Sequence, residues 1–151
     1  MIDTRPLFEM RVLVPEIQDL GQTPLGRRRI ATVSGGRFEG ERLRGEIVGS
    51  PAGDWLLQLA DGTTLLDVRL TLRTDDGASI YMSYRGIRHG PPEVMARLAA
   101  GEAVDPGSYY FRMAPIFETA SEKYGWLNRI LAIGIGRREP DGPIYAVHEV
   151  L

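Results

Sequence analysis

Residues 109–146 read YYFRMAPIFETASEKYGWLNRILAIGIGRREPDGPIYA, and the alternation inside this stretch decides the fold. Successive side chains of a strand point to opposite sides, so Tyr110, Arg112 and Ala114 share one face while Tyr109, Phe111 and Met113 share the other. In the next run Asn128, Ile130, Ala132, Gly134 and Gly136 face one way, and Leu127, Arg129, Leu131, Ile133 and Ile135 the other. The first of these faces shrinks to Ala and Gly with an amide at its end. A strand face that small either admits a neighbouring side chain or ligand, or marks a tight bend. Both occur in closed barrels.

Outward from this stretch the pattern repeats. Phe8, Met10, Val12 and Val14 alternate with Glu9, Arg11 and Leu13 in a first strand, which Pro15 ends. The segment EIQDLGQTPL, 16–25, mixes polarity around Gly21 and Pro24 and reads as a loop over one barrel end. Ile30 to Ser34 reads as a strand, Gly35-Gly36 as a bulge or bend, and Leu43 to Val48 as a further strand. After the turn SPAG comes a short strand, LLQLA. Asp61-Gly62 then turns into TLLDVRLTLR, where Leu66, Val68, Leu70 and Leu72 oppose Asp67, Arg69, Thr71 and Arg73. Asp76-Gly77 turns again into a strand with Ile80, Met82, Tyr84 and Gly86 on one side. Repeated Asp-Gly turns between short strands indicate an antiparallel meander.

One helix stands out. PPEVMARLAAG opens with proline, carries Glu93 in its first turn and stops at Gly101, so a helix over 91–100 covers an end of the barrel. With eight to ten strands, one helix and no βαβ alternation, residues 1–151 are expected to form one all-β domain, a closed antiparallel barrel. A two-sheet sandwich is the alternative.

The composition narrows the function classes. The chain has 151 residues, 43% hydrophobic and 25% charged, with a net charge of -2 and no basic stripe for nucleic acid. Arg27, Arg28 and Arg29 are consecutive. In a strand Arg27 and Arg29 share a face and Arg28 opposes them, so one side of the run points inward unless the whole run is an exposed strand end. There is no cysteine, which excludes disulfides, thiolate metal sites and a cysteine nucleophile. The start, MIDTRPLFEMRV, lacks the apolar run of a signal peptide, and no stretch approaches the roughly 18 apolar residues of a membrane span, so a cytoplasmic location without membrane partners is the expectation.

Taken in order, GRRRIATVSGGRFEGERLRGEIV, GDW, LLDVRLTLRTDDGASIYMSYRG, YYFRMAPIFET and YGWLNRILAIGIG resemble the bacterial and fungal family called domain of unknown function 3237. The resemblance runs from about Phe8 to Val147 and is weakest over Pro15 to Pro24. It implies a compact β-barrel of the lipocalin-like or allene-oxide-cyclase-like kind and no particular reaction.

For chemistry, His89 and His148 lie on separate segments without a partner at ligand spacing, so no metal is expected. No serine sits in a nucleophile elbow, and GIGR at Gly134 lies inside a strand pattern, not a phosphate-binding turn. No cofactor is therefore expected. What remains is polar and aromatic groups on faces that a barrel can turn inward. Glu118 is the candidate acid or base, with Arg112 and Asn128 holding an oxyanion. Trp55, Tyr110, Tyr124 and Trp126 are candidates for positioning an aromatic ring, with Asp67 and Arg69 as further polar contacts. Against this, Asp67 and Arg69 lie opposite a clean apolar face and read equally as the solvent side of their strand.

Three functions fit. One is a cofactor-independent proton-transfer enzyme, an isomerase, cyclase or lyase, acting on an aromatic or polyketide-like compound. Another is a non-catalytic binding protein for a small apolar or aromatic molecule. The third is a homo-oligomeric assembly module with a filled interior, and a homodimer is compatible with all three because both faces around Leu131 to Ile135 carry apolar residues.

Overall fold

The clean alternation over 64–74 and 79–89 becomes two long paired strands in the computed structural model, which describes residues 1–151. In chain order the strands are β1 (Thr4–Leu13), β2 (Glu16–Thr23), β3 (Gly26–Thr32), β4 (Gly35–Glu39), β5 (Arg44–Gln58), β6 (Thr64–Thr74), β7 (Ser79–His89), β8 (Tyr110–Thr119), β9 (Ala132–Glu139) and β10 (Gly142–Val150), with helix α1 (Pro92–Ala99) between β7 and β8. From β4 to β10 each strand pairs antiparallel with the next. β1 then joins β10 to β4 and closes an eight-stranded barrel. The β2–β3 hairpin stands outside this ring, attached through β3 to the second half of β5.

Period two sets what lies inside. Leu66, Val68, Leu70 and Leu72 from β6 meet Ile80, Met82 and Tyr84 from β7, all buried. Phe111, Met113 and Phe117 point inward from β8, and Met10, Val12 and Phe38 close the opposite wall. Phe8 packs edge-on against Phe38 and Phe117 at ring separations of 5.5 and 6.1 Å. Nearer the other end Tyr145 packs edge-on against Tyr84 and Phe111 at 5.4 and 5.3 Å. Each such fully buried side chain contributes about 1.5–3 kcal/mol through removal from water.

The Ala-Gly face explains how the barrel accommodates these rings. A Cβ on Gly134 would lie 2.5 Å from the Met113 sulfur, and one on Gly136 would lie 2.9 Å from three Phe111 ring atoms. The glycines of β9 thus make room for the large inward side chains of β8. Asp-Gly turns occur where expected, with Gly62 at φ +89° and Gly77 at φ +92°. Helix α1 has proline in its first turn, is followed by Gly101 at φ +81°, and inserts Leu98.

Three local expectations are corrected. The segment 16–25 is a strand hairpin, not a loop; its turn is at Thr23–Gly26, and the mixed polarity reflects an exposed ribbon with no buried face. The strands expected either side of SPAG are one bent strand, β5, whose pairing with β6 shifts between Val48 and Gly53. The expected strand from Leu127 is a 3-10 turn over Gly125–Arg129, and the strand starts only at Ala132.

Candidate functional site

The barrel ends differ. At the end formed by the starts of β5, β7 and β9, the 3-10 turn plugs the interior with Tyr124 and Leu127. The Tyr124 hydroxyl donates to the Asp76 carboxylate at 2.9 Å, and Lys123 and Thr74 donate to it at 2.6 and 2.5 Å. Hydrogen bonds from Lys123, Thr74 and Tyr124 hold the Asp76 carboxyl well below the usual range. Arg42 stacks on Trp126, 4.3 Å from the ring centroid, and donates with Arg5 to Glu149 at 2.6 and 2.8 Å. These polar groups are all mutually paired, as a structural closure requires.

The opposite end carries unpaired polar groups. There β5 turns Asp54 inward, β7 and β9 end their inward faces in Arg88 and Arg138, and β3 contributes Arg29. Tyr84 and Tyr145 lie just below, with Phe111, Leu56 and Val68 completing the walls. Exposed Ile17 of β2 also lines the cavity, so it reaches solvent beneath the hairpin. The free space in the cavity is about 30 Å³, room for roughly two waters. Below it the barrel is filled by side chains.

Asp54 is 8% exposed, and its carboxylate accepts one hydrogen bond, from the Asp67 N–H at 3.0 Å. Burial pushes its carboxyl up to about 6, against a pull downward from that N–H and from Arg88. Arg88 is brought down to about 10, first by burial and then by the charge of Arg138, and so remains cationic at neutral pH. Burial raises the hydroxyl pKa of both Tyr84 and Tyr145, which keeps them as protonated donors. The Tyr145 hydroxyl and the Nε atoms of Arg29 and Arg88 are buried without a hydrogen-bond partner. A buried acid with a raised pKa, beside cations and hydroxyl donors in a cleft, has the features of a proton-transfer site.

The residues expected from sequence lie elsewhere. Glu118 and Arg112 are on the outer wall, because Phe111, Met113 and Phe117 occupy the inward positions of β8. Glu118 and Asn128 do meet, but in a shallow surface groove with Tyr81. Asn128 is a clamp: its Oδ1 accepts from the Thr119 N–H at 2.8 Å and its Nδ2 donates to the Thr119 carbonyl at 3.0 Å. Asn128→Ala is therefore expected to cost about 1–2 kcal/mol in urea unfolding by releasing the 3-10 turn from β8. Arg112 lies over Tyr110 at 4.8 Å, and Tyr110 stacks outside on His89. Trp55 and Arg69 are exposed neighbours outside the barrel, and Asp67 meets the cavity only through its backbone N–H to Asp54. Tyr124 and Trp126 belong to the closed end.

Asp54 is not among the candidates expected from the sequence, although Trp55 beside it is. The signal that could have found it is period two, since Asp54 and Leu56 share the face opposite Trp55. Arg29 lines the cavity, so the arginine run is not wholly an exposed strand end.

Comparison with known proteins places the chain. Residues 2–150 match the family described as "Protein of unknown function (DUF3237)". The chain belongs to this family. It is 35% identical over 151 residues to a UPF0311 protein of Rhodopseudomonas palustris strain TIE-1, covering 99% of this chain and 97% of the relative. The crystal structure of a beta-barrel-like protein from Acinetobacter baumannii AYE superposes with a TM-score of 0.87 at 38% identity, over 100% of this chain and 97% of that one. The hydroalkoxylation enzyme phnH of Penicillium herquei is 30% identical over 107 residues, 71% of this chain and 56% of that protein. No helix of this DUF3237 member is long and apolar enough to cross a membrane.

Proposed function

We propose that this DUF3237 protein is a cofactor-independent proton-transfer enzyme acting on a small aromatic or polyketide-like molecule, with Asp54 as acid and base. The observation that carries this reading is a single carboxyl, buried at the open barrel end, that keeps its proton to about pH 6. Near neutrality both of its forms are populated, as giving and taking a proton in one cycle requires. Tyr84 and Tyr145 supply hydroxyl donors beside it. Similarity to a hydroalkoxylation enzyme supports a reaction type, addition of an O–H group across a C=C bond. Asp54 would deliver a proton to one alkene carbon while the oxygen bonds to the other, and the hydroxyl proton would return to the carboxylate. Within one molecule this is an isomerisation, needing neither oxidant nor reductant.

With about 30 Å³ free in the whole cavity, only the reacting group enters, and the rest of the molecule lies outside it against exposed Ile17. That small volume argues against the carrier reading, which needs to enclose an apolar ligand.

Incubation with ortho-prenylated phenols tests the proposal. Wild type is expected to form a cyclised isomer of unchanged mass, detected by liquid chromatography and mass spectrometry, and Asp54→Asn is expected to form none. Equal rates in the two would overturn it. Glu118→Gln is expected to keep the wild-type rate and to change stability by no more than about 0.5 kcal/mol, since the side chain is exposed without a hydrogen-bond partner.

A further inference from the structure

We infer that the Asp54 cavity takes its ligand as an organic anion, an oxyanion head group on an apolar body, held by Arg29, Arg88 and Arg138. This rests on the reading of that cavity as the reaction site and names the substrate class it selects.

The cavity carries an excess of positive charge. Three guanidinium groups and one carboxylate line it, a formal balance of 3 − 1 = +2 in a chain whose net charge is -2. None of the three arginines takes part in any of the ion pairs of the chain. At the closed end the buried carboxylate, Glu149, is paired with Arg5 and Arg42. Here Nε of Arg29 and of Arg88 is buried with its N–H free. Three partly desolvated guanidiniums that share one carboxylate are costly, and such a cluster persists in a fold when something else supplies a further anion.

The guanidiniums also act on one another. Burial first, and then neighbouring cations, disfavour the charged form of both Arg88 and Arg29: Arg138 acts on Arg88, and Arg27 followed more weakly by Arg138 acts on Arg29. An anion placed among them relieves that repulsion and fills the free N–H positions with charge-assisted hydrogen bonds, which guanidinium forms with oxyanions more strongly than with neutral oxygens. At the rim above this polar floor the walls still open to solvent are apolar, half-buried Val14 and exposed Ile17. A small inorganic ion leaves those walls uncovered, whereas an anion carried on a hydrocarbon or ring covers them. Carboxylates and phenolates share this chemistry; where the phenolate itself is the attacking oxygen, Asp54 regains from solvent the proton that the phenol gave up on binding.

Titration calorimetry with three probes of similar shape decides the matter: benzoate, 4-nitrophenol at pH 8 as its phenolate, and neutral benzamide, all at low chloride. Wild type is expected to bind at least one of the two anions at least about tenfold more tightly than benzamide, and which anion binds identifies the head group. Arg88→Met and Arg138→Gln are each expected to weaken that binding by about tenfold or more. Arg138 is only partly buried, so its variant keeps the test open if Arg88→Met fails to fold. Asp54→Asn is expected to bind the anion as tightly as wild type or more so, having lost a like charge. Benzamide binding as well as the anions, no binding of any probe, or anion binding unchanged in Arg138→Gln would overturn the inference. Failure of anion binding with Asp54 still titrating near 6 would leave the proton-transfer reading standing, and an ordinary Asp54 pKa with anion binding intact would remove that reading alone.

Discussion

Asp54→Asn is expected to stabilise the folded protein at pH 7 by about 3 kcal/mol while abolishing turnover. Burial holds the folded-state carboxyl near 6, against 3.8 for an ordinary aspartate. Between these values the folded chain binds more protons than the unfolded one, so stability falls as pH rises from about 4 and the loss is complete above about 6. The difference, 6 − 3.8, is worth about 3 kcal/mol. Asparagine cannot ionise, yet its Oδ1 still accepts from the Asp67 N–H. Urea unfolding from pH 4 to 8 should therefore show the two proteins alike at pH 4 and diverging by pH 7. A variant less stable than wild type at pH 7 would show that the arginines hold ionised Asp54 favourably, and would contradict a carboxylate destabilised by burial.

The second large effect concerns the wall of the same cavity. Phe111 is fully buried between the glycine face of β9, the Tyr145 ring and Arg88, whose guanidinium carbon lies 5.4 Å from its centroid. Phe111→Ala is expected to cost about 3–5 kcal/mol, because the rigid barrel around it cannot collapse onto the void. Gly136→Val alone is also expected to destabilise, by about 1–3 kcal/mol, since its Cβ would press on the Phe111 ring. Combined, the two changes should cost less than their sum, the new methyl groups occupying space that the ring vacated. Strict additivity in urea unfolding would contradict the packing of Phe111 against Gly136.

Much of the fold is legible in the sequence because period two is a local signal. The alternation over Leu66–Leu72 and Ile80–Gly86 places the core faces of β6 and β7, and the shrinking of β9 to Ala132, Gly134 and Gly136 announces a close approach. Carrying those inward faces two residues further reaches Arg88 and Arg138, the cations of the cavity. What alternation alone does not supply is which face of β8 points inward. That depends on Phe111, Met113 and Phe117 fitting against β9, a contact between strands separated by the 3-10 turn. Without that contact, Glu118 and Arg112 are as eligible for the interior as their neighbours. The Asn128 reading fails for another reason: Leu127–Arg129 has strand-like spacing, but the tertiary clamp to Thr119 holds it in a turn. Asp54 is hidden because a lone acid between Gly53 and Trp55 resembles a turn residue, and only the continuity of β5 through residues 44–58 turns it inward.

The ionisation of Asp54 separates a proton-transfer site from a structural carboxylate. Carboxyl carbon chemical shifts of aspartate-labelled protein, followed by NMR from pH 3 to 8 and assigned by their loss in Asp54→Asn, should show one aspartate titrating near 6. An Asp54 carboxyl titrating near 3.8 would mean that the open end of the barrel holds an ordinary ionised aspartate, and the proton-transfer reading would fall.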